Sequence, residues 1–199
     1  MRGDQEGHQP QRCAVPCTLD IPTIETARLR LRGHGLADYQ NCAALWGNAQ
    51  VTRHIGGKPQ TPEESWSRLL RYLGHWSLLG YGYWLIEERE TGEFVGEVGI
   101  SDYKRMMEPP LGCTPEVGWV LAPSKQGQGY ATEVVRAVVH WGMAHFGQRE
   151  LACLISPENL ASIRVANKCG FTERYRTVYK NEATIVLMFD PLQAGSATR

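Results

Sequence analysis

The stretch Leu121-Ala-Pro-Ser-Lys-Gln-Gly-Gln-Gly-Tyr-Ala-Thr-Glu133 decides how the rest of this sequence is interpreted. The apolar run that leads into it, residues 117–122, predicts a strand that ends at Pro123, and the residues after the two glycines have the spacing of an amphipathic helix. The first N–H groups of a helix are unpaired and carry a partial positive charge, and glycine lets an anion approach them. The stretch therefore predicts a turn that holds a phosphate-bearing ligand: a nucleotide, a dinucleotide or coenzyme A.

The composition limits the class of protein. The 199 residues are 42% hydrophobic and 21% charged, and the formal net charge is +0. These proportions are ordinary for a single globular domain, and there is no excess of positive charge to attract nucleic acid or anionic lipid. No apolar run approaches the roughly 20 residues that cross a bilayer, and the N-terminus lacks the apolar region of a signal peptide. We therefore expect a cytoplasmic protein that binds neither nucleic acid nor membranes.

The six cysteines are irregularly spaced, which predicts reduced thiols rather than a disulfide framework. They are Cys13, Cys17, Cys42, Cys113, Cys153 and Cys169. Cys13 and Cys17, with His8 nearby, could suggest a metal site, but no second ligand pair follows at the spacing of zinc sites. We expect no metal.

The order of predicted elements indicates the fold class. Residues 1–19 and 192–199 are polar and without periodicity, so they predict tails on either side of a single domain, residues 20–191. Strands are predicted at 25–32, 81–88, 94–102, 115–122, 150–155, 171–179 and 183–190, and helices at 36–46, from 61 onwards, 131–146 and 159–168. The resulting order, β-α-α-β-β-β-α-β-α-β-β, predicts a mixed sheet with helices on both faces, neither a doubly wound sheet nor a barrel.

The helix from residue 61 has a start signal and an apolar stripe. Thr61 is the predicted N-cap, Pro62 the first helical residue and Glu64 the partner in a capping box. The stripe is predicted to belong to the core: Trp66, Leu69, Leu70, Leu73 and Trp76. Residues 47–60 before this helix are polar and predict a connector or a lip over a substrate site.

A dinucleotide site and a P-loop both fit the glycine turn poorly. Gly127-x-Gly129 matches only the first half of G-x-G-x-x-G, since Thr132 stands where the third glycine should be. The preceding strand is the third of an antiparallel run rather than the first of a βαβ unit. No Gly-Lys-Ser/Thr ends the turn, so the P-loop fails as well.

Two motifs together carry a resemblance to a known family. Gln126-Gly-Gln-Gly-Tyr-Ala131 has the form Gln-x-x-Gly-x-Ala, and about 30 residues later comes Asn159-Leu-Ala-Ser-Ile-Arg-Val-Ala-Asn-Lys-Cys-Gly-Phe171. Over about residues 23–191 the sequence resembles the GNAT superfamily of acyl-CoA N-acyltransferases, and most closely the branch that acetylates the N-termini of ribosomal proteins. The resemblance implies an α/β (α+β) fold, with a mixed, mostly antiparallel sheet flanked by helices on both faces and two strands splayed at the cofactor site.

The resemblance also implies acetyl-CoA as co-substrate. The pantetheine arm would bond the exposed backbone of the strand before the turn, and the pyrophosphate would rest on the turn itself. The Asn159 side chain would bond the pantetheine, Ser162 would lie near the thioester sulfur, and a backbone N–H at about Val120 would donate to the oxyanion. The implied cofactor-binding residues are Val120, Leu121, Gln126, Gly127, Gln128, Gly129, Tyr130, Ala131, Thr132, Asn159 and Ser162.

The expected chemistry is direct attack of an amine on the acetyl thioester, which needs a base for the amine. Glu116 is the predicted base because on a strand it shares a face with Gly118, which would leave an open space for the amine or a relaying water. Glu97 stands in the same Glu-x-Gly setting. If the two glutamates face one another, they would line one cavity, and their repulsion would raise at least one pKa. The alternative is that either glutamate is only a solvated strand residue.

The source of the proton for the leaving thiolate is left open. Many members of the superfamily carry a tyrosine four residues after the position of Ser162, whereas this chain has Ala166. Ser162 is therefore the second predicted catalytic residue. The alternatives are water, departure of the thiolate without a proton donor, or Tyr130 or Tyr175 as a substitute donor.

The function that follows is transfer of an acetyl group from acetyl-CoA to a primary amine, with a protein or peptide N-terminus as the preferred acceptor. A small amine, such as an amino acid, a polyamine or an aminoglycoside, is the alternative within the same class. A domain that senses acyl-CoA without transferring the acyl group is the rival from another class. We expect a monomer or a homodimer.

Overall fold

The structure, a computed structural model, describes residues 19–191. The predicted tails lie outside the described residues, apart from Leu19, and so do Cys13 and Cys17. The strands are β1 (Ile24–Glu25), β2 (Leu29–Arg32), β3 (Tyr83–Glu88), β4 (Phe94–Ser101), β5 (Glu116–Leu121), β6 (Leu151–Ile155), β7 (Thr172–Tyr179) and β8 (Glu182–Phe189). The helices are α1 (Tyr39–Trp46), α2 (Ala49–Thr52), α3 (Pro62–Leu79), α4 (Tyr130–Phe146) and α5 (Leu160–Lys168).

All eight strands form one sheet in the order β1-β2-β3-β4-β5-β6-β8-β7. Every neighbouring pair is antiparallel except β5 and β6, which run parallel. The expected mixed, mostly antiparallel sheet is confirmed. Strand β8 lies between β6 and β7, so the last hairpin turns back and inserts its second strand next to β6.

Helices cover both faces of the sheet, as predicted. On one face, the apolar side of α4 packs against β4. Val134, Val135 and Val138 of α4 belong to one hydrophobic cluster with Val98 and Ile100 of β4. Helices α1 and α3 contact each other, and they reach the sheet at β4 and β3 respectively. This arrangement leaves the edge between β5 and β6 as the place where a ligand can enter between strands.

Two predicted boundaries needed revision. The single strand predicted at residues 25–32 is two short antiparallel strands, β1 and β2, because Thr26 bonds back to the Leu29 carbonyl and turns the chain. The connector 47–60 contains the one-turn helix α2, whose N-cap is Asn48; its side chain accepts from the Gln50 N–H at 2.9 Å. Four residues are too few to produce a helical period in the sequence.

Helix α3 begins at the predicted capping box, but its buried side differs from the prediction. Leu69 and Trp76 are buried as expected, whereas Trp66 and Leu70 are 38% and 49% exposed. Tyr72 takes their place in the interior, where its ring stacks on a second tyrosine. The hydrophobic pattern failed here because it assigns large apolar residues to the core and overlooks a tyrosine whose hydroxyl has a buried partner.

A close approach of strands fixes two glycines in the middle of the sheet. Gly99 and Gly118 are paired across β4 and β5, and Tyr83 lies against both. A Cβ on Gly99 would collide with the backbone of Tyr83 and Gly82, and one on Gly118 would collide with the Tyr83 hydroxyl. The two glycines therefore make room for the Tyr83 ring.

The four described cysteines are unpaired, in agreement with the expected reduced thiols. Cys42, Cys153 and Cys169 are buried, and Cys113 is exposed. Within residues 19–191, no helix has the length and apolar character needed to cross a membrane.

We expect Gly99→Ala to lower the free energy of unfolding by about 1–3 kcal/mol, because the clash is with backbone atoms that cannot rotate away. Gly74→Ala is the matched control: it lies inside α3 with no atom within 4 Å of the new Cβ. This change should leave stability unchanged or raise it by about 0.5–1 kcal/mol, since alanine suits a helix interior better than glycine does. Urea denaturation measures both. Equal effects of the two changes would contradict the close approach.

Candidate active site

The pairing between β5 and β6 stops almost as soon as it begins. Glu116 and Ala152 are the one pair in register, and the Ala152 N–H donates to the Pro115 carbonyl at 2.9 Å. Beyond this point the two strands separate, as predicted for the cofactor site. The gap leaves peptide groups on the facing edges of both strands without a ladder partner.

The register shows which peptide groups of β5 face the gap. The Ala122 N–H donates to the Val95 carbonyl at 2.9 Å, and Val120 is paired with Glu97. Antiparallel alternation then turns the peptide groups of Val120 towards β4, and those of Trp119 and Leu121 towards β6. The Val120 N–H itself is thus directed to β4, so an oxyanion donor at about Val120 stays a prediction that only the N–H of a neighbouring residue could meet. The Val120 side chain does line the gap.

The glycine turn follows directly at the open end of β5. Gly127 and Gly129 have φ of 77° and 81°, and Gly129 caps α4. The space beside Gly127 is open, with no atom within 4 Å of a Cβ built there. Because α4 begins at Tyr130, the N–H groups of its first turn have no partner within the helix. An anion can therefore reach the backbone here, as the sequence predicted.

Side chains fix the turn from both sides. The Gln126 amide donates to the Leu121 carbonyl at 3.1 Å and so uses a strand acceptor in the gap. The Arg28 guanidinium donates to the Gln128 carbonyl at 3.0 Å and also forms an ion pair with Glu133 in the first turn of α4. Arg28 therefore holds the turn and places a positive charge next to the helix N-terminus. No pattern in the sequence indicates this long-range contact.

Asn159 and Ser162 lie on the β6 side of the gap. Asn159 is the N-cap of α5, and its side-chain oxygen accepts from the Ser162 N–H at 3.1 Å. The amide NH₂ of Asn159 is left for a ligand, and Ser162 also lines the gap. If Asn159 binds pantetheine as predicted, it can do so only as a hydrogen-bond donor, because its side-chain oxygen is already used by Ser162.

The gap opens into a cleft of about 860 Å³. One side is formed by β5 and β6, and the other by three residues of α3, the connector segment 54–60 and the turn between β7 and β8. The cleft brings together Glu116, Val120, Asn159 and Ser162 of the predicted site. Further cleft residues that the sequence did not single out are Arg68, Arg71, Tyr83, Tyr103, Arg105 and Tyr179.

Glu116 lies in the cleft and is held by a residue that the sequence did not identify. Its two carboxylate oxygens accept from the Nε and Nη2 of Arg105, the latter at 2.7 Å. The Arg105 guanidinium also lies near the rings of Tyr103 and Tyr179. Arg105 lies in a loop, where no periodicity in the sequence assigns it a partner eleven residues away. Glu116 is thus a fixed, ion-paired carboxylate rather than a solvated strand residue.

The open space expected beside Gly118 is filled. The Tyr83 hydroxyl occupies it, and burial, followed by the negative field of neighbouring groups that include Glu116, raises the pKa of Tyr83 well above its ordinary value. The prediction of a vacant position next to Glu116 is wrong, because strand alternation shows which residues share a face but not which side chain of a neighbouring strand covers it.

Glu97 does not line the cleft with Glu116. It is completely buried; its Oε2 accepts from Trp46 Nε1 and from the Tyr72 hydroxyl, both at 2.8 Å, and its Oε1 lies 3.5 Å from His34 Nε2. Burial alone would raise the pKa of Glu97, but these hydrogen bonds and the interaction with His34 outweigh it and lower the pKa. The prediction that Glu97 and Glu116 face one another and raise a pKa by repulsion is therefore wrong.

A cysteine and a histidine do stand together, although not in the cleft. The Sγ of Cys42, a ring nitrogen of His34 and a carboxylate oxygen of Glu97 lie within 4.8 Å of one another, all buried. These are donor types that zinc accepts. Burial, reinforced by the charge of Glu97, raises the pKa of Cys42 well above its ordinary value. A protonated thiol behind the cleft cannot attack a substrate, so this cluster is not a nucleophile site.

Cys153 lines the cleft but is held as a thiol. Burial, and then the field of Glu116, raises the pKa of Cys153 well above its ordinary value. This agrees with a direct transfer that needs no cysteine nucleophile. The substitutes considered for the missing tyrosine lie elsewhere: the Tyr130 hydroxyl donates to Glu88 at 3.1 Å, and the Tyr175 hydroxyl to the Pro109 carbonyl at 3.3 Å.

These features define a domain that holds an extended, phosphate-bearing ligand between two strands. A model of the acetyltransferase (GNAT) domain matches residues 28–172. Because this covers more than half of the chain, the chain belongs to the GNAT acetyltransferase family. It is an acetyltransferase of the GNAT type, as the two sequence motifs indicated.

Individual relatives agree with this assignment. YoaA of Bacillus subtilis, named as an N-acetyltransferase, is 28% identical over 152 residues, which cover 76% of this chain and 83% of that protein. YkkB of the same organism is 39% identical over 93 residues, covering 46% of this chain and 52% of that protein. Among solved structures, a GnaT-family acetyltransferase from Bordetella pertussis has a TM-score of 0.75 at 25% identity, covering 85% of this chain and 99% of that one.

We expect Glu97→Gln to be less stable than the native protein by about 1–3 kcal/mol near pH 7, because a charged acceptor of buried hydrogen bonds is lost. The folded state lowers the pKa of Glu97, so its charge contributes stability above its unfolded value and loses this contribution as the pH falls. The difference between the two proteins should therefore shrink as the pH drops below 4.5.

Denaturation in urea at several pH values measures this difference. Glu90→Gln, an exposed change in the turn between β3 and β4, is the control and should have little effect at any pH. A loss for Glu97→Gln that stays constant from pH 7 to about pH 3 would mean that the charge is not what stabilises the network.

Proposed function

We propose that this protein transfers the acetyl group of acetyl-CoA directly to a primary amine, and that the acceptor is the N-terminus of a protein or peptide. The observation that carries this proposal is the gap between β5 and β6, where the peptide groups of Trp119 and Leu121 face no strand partner next to an open glycine turn. The pantetheine arm of acetyl-CoA carries two amides and leads from the thioester to a pyrophosphate, which joins it to the nucleotide. A free strand edge that leads to a helix N-terminus fits both parts.

The proposed binding roles follow from the free backbone groups. The N–H groups of the glycine turn and of the start of α4, residues 127–132, would bind the pyrophosphate, with Arg28 adding positive charge beside them. The Trp119 and Leu121 peptide groups would bond the pantetheine amides, and the Asn159 NH₂ would donate from the opposite side of the gap. The Leu121 carbonyl is already used by Gln126, which leaves the Leu121 N–H as the available group.

Bound acetyl-CoA supplies the acetyl thioester that the amine attacks. Glu116 is the proposed acceptor of the amine proton. Because both its oxygens are bonded to Arg105 and Tyr83 fills the space beside Gly118, we propose that the proton reaches Glu116 through a water. Ser162 and Tyr83 carry the hydroxyl groups that can return a proton to the sulfur. Tyr83 stays protonated at neutral pH because its pKa is raised.

The cleft of this chain is what supports the choice of acceptor. Solved structures with the same fold are named for quite different acceptors: spermidine in Vibrio cholerae at 16% identity, ribosomal protein S5 in Vibrio fischeri at 18%, and aminoglycosides at 19%. At these identities they show the fold alone. A cleft of about 860 Å³, near the top of the roughly 300–1,000 Å³ range of ligand sites, has room for a peptide beside the pantetheine arm. A small amine is the second candidate.

The expected cytoplasmic location is part of this proposal. It is supported by the four unpaired cysteines, three of which are buried with no disulfide partner among the described residues.

We expect Gly129→Leu to weaken CoA binding by about tenfold or more, because a side chain would stand where phosphate approaches the helix N-terminus. Gly147→Leu is the matched control. Gly147 ends the same helix with φ of 69°, so a side chain there carries similar backbone strain at the opposite end; a Cβ at Gly147 has no atom within 4 Å, and one at Gly129 has only the Arg28 guanidinium, at 3.5 Å. Calorimetric titration with CoA measures both. Equal loss of affinity in the two variants would contradict the phosphate turn.

We expect Glu116→Gln to lower kcat by about 100-fold or more while the affinity for CoA is unchanged, since a general base contributes to the reaction and not to cofactor binding. Glu182→Gln removes another cleft carboxylate from the β7–β8 turn and should change kcat little. Release of free thiol from acetyl-CoA with a panel of amines measures the rate.

Two outcomes would overturn parts of this proposal. Native rates for Glu116→Gln at every pH would remove Glu116 as the base. Tight CoA binding without amine-dependent thiol release from any member of the panel would favour the acyl-CoA sensor over the enzyme.

A further inference from the structure

The cleft has an uneven distribution of charge. Six lysine and arginine side chains line it, against three carboxylates. Two of the three carboxylates are committed to cations of the cleft itself: Glu116 to Arg105 and Asp102 to Lys104. The wall formed by α3 therefore keeps positive charge that the protein does not neutralise.

Arg68 and Arg71 supply that charge on α3. They stand one turn apart on the same helix, line the cleft together, and form no ion pair with a carboxylate in the described part of the chain. The Arg68 guanidinium lies 3.5 Å from the centre of the Trp46 ring, and the Arg71 guanidinium lies 5.3 Å from that of Tyr103. Aromatic rings hold both guanidinium groups in place and leave their N–H donors unsaturated.

Arg68 is positioned by three contacts. Its Nε donates to the Gln60 side chain at 3.0 Å, its Nη1 lies 3.5 Å from the Tyr72 hydroxyl, and its plane covers Trp46. Behind Tyr72 lies the buried carboxylate of Glu97, so the nearest compensating charge is one hydroxyl group away. Burial would lower the pKa of Arg68, but its interaction with Tyr72 outweighs this and raises the pKa, so the side chain stays charged.

The two arginines are close to the place where the acetyl group is proposed to lie. Trp46, which carries Arg68, packs in one cluster with Val120 of β5. Tyr103, which carries Arg71, also lies against Arg105, the partner of Glu116. A ligand group bound to the arginines would therefore be near the proposed base.

We propose that Arg68 and Arg71 form an anion subsite that selects an acceptor carrying a carboxylate close to its primary amine. This inference rests on the proposed function, because it specifies the acceptor of the same cleft. Two guanidinium groups favour a carboxylate through paired, charge-assisted hydrogen bonds. The same groups repel spermidine and aminoglycosides, which bring several positive charges. The carboxylate belongs either to a free amino acid or to an acidic side chain next to a peptide N-terminus.

Matched acceptors test the subsite. Amino acids are compared with their carboxamides, and peptides with Glu at the second position with those that have Gln there. We expect kcat/KM to be about 10- to 100-fold higher for the carboxylate member of at least one kind of pair. The pair that shows this preference identifies the source of the carboxylate. The amides have the more weakly basic amine, so amine protonation alone would favour them instead.

Variants connect the preference to the arginines. Arg71→Gln should remove most of the preference through KM, with little change for the amides, and Arg71→Lys should restore part of it. Arg149→Gln, an exposed change outside the cleft, is the control and should keep the preference intact. Arg71 is exposed, and its hydrogen bond with His75 is made by the Arg71 backbone carbonyl, which the substitution leaves in place. The variant is therefore expected to fold.

A binding measurement separates this inference from the proposed function. Acceptors are titrated calorimetrically into protein saturated with CoA, which needs no turnover. The subsite is supported if the native protein binds the acids but not the amides, and if Arg71→Gln no longer binds the acids. This holds even if no acceptor is acetylated. Three results would overturn the subsite. The first is equal binding of acids and amides, and the second is faster turnover of spermidine or an aminoglycoside than of any acid. The third is a preference for the acid that survives in Arg71→Gln.

Discussion

The loss of pairing between β5 and β6 is the constraint on which the rest of the site depends. A buried peptide group without a partner is costly, so a sheet that opens in its middle needs something to satisfy the exposed edges. This protein satisfies part of the requirement itself. The Gln126 amide donates to the Leu121 carbonyl. The groups that remain at Trp119 and Leu121 are the ones that a ligand with amides along its length can use.

The two glutamates of β4 and β5 show how one face of a sheet separates a structural carboxylate from a functional one. Both sit in Glu-x-Gly sequences and point to the same side, yet Tyr83 lies over the glycines between them. Behind Tyr83, Glu97 accepts hydrogen bonds from Trp46 and Tyr72 and joins α1 and α3 to the sheet. In front, Glu116 faces the cleft with Arg105 as its only charged partner among the described residues. Tyr83 thus divides the interior of the protein from its reaction space.

The sequence predicted the features that depend on local pattern and missed those that depend on contacts between distant segments. The mixed sheet and the glycine turn follow from hydrophobic period and from residues with special backbone freedom, and both were confirmed; the predicted element order was right except for the division of its first strand and for helix α2. The direction of the Val120 N–H towards β4 was not foreseen, because the side of a strand that faces a gap depends on the register with its partner. The Tyr83 ring beside Gly118 and the Arg105 partner of Glu116 join separate segments and leave no periodic trace. The burial of Tyr72 in place of Trp66 has the same origin, since its hydroxyl needed Glu97 as a partner.

The aromatic residues behind the cleft connect the buried network to the charge at its surface. Tyr72 donates to Glu97 and approaches Arg68, and Trp46 donates to the same carboxylate while its ring lies under the Arg68 guanidinium. One buried negative charge therefore positions two rings that together fix a cation at the cleft wall. Such a cation is pre-organised, because its side chain loses little additional freedom when an anion binds. The cost of burying Glu97 without solvent is offset by these hydrogen bonds, and the same bonds determine which sign of charge the cleft presents to an acceptor.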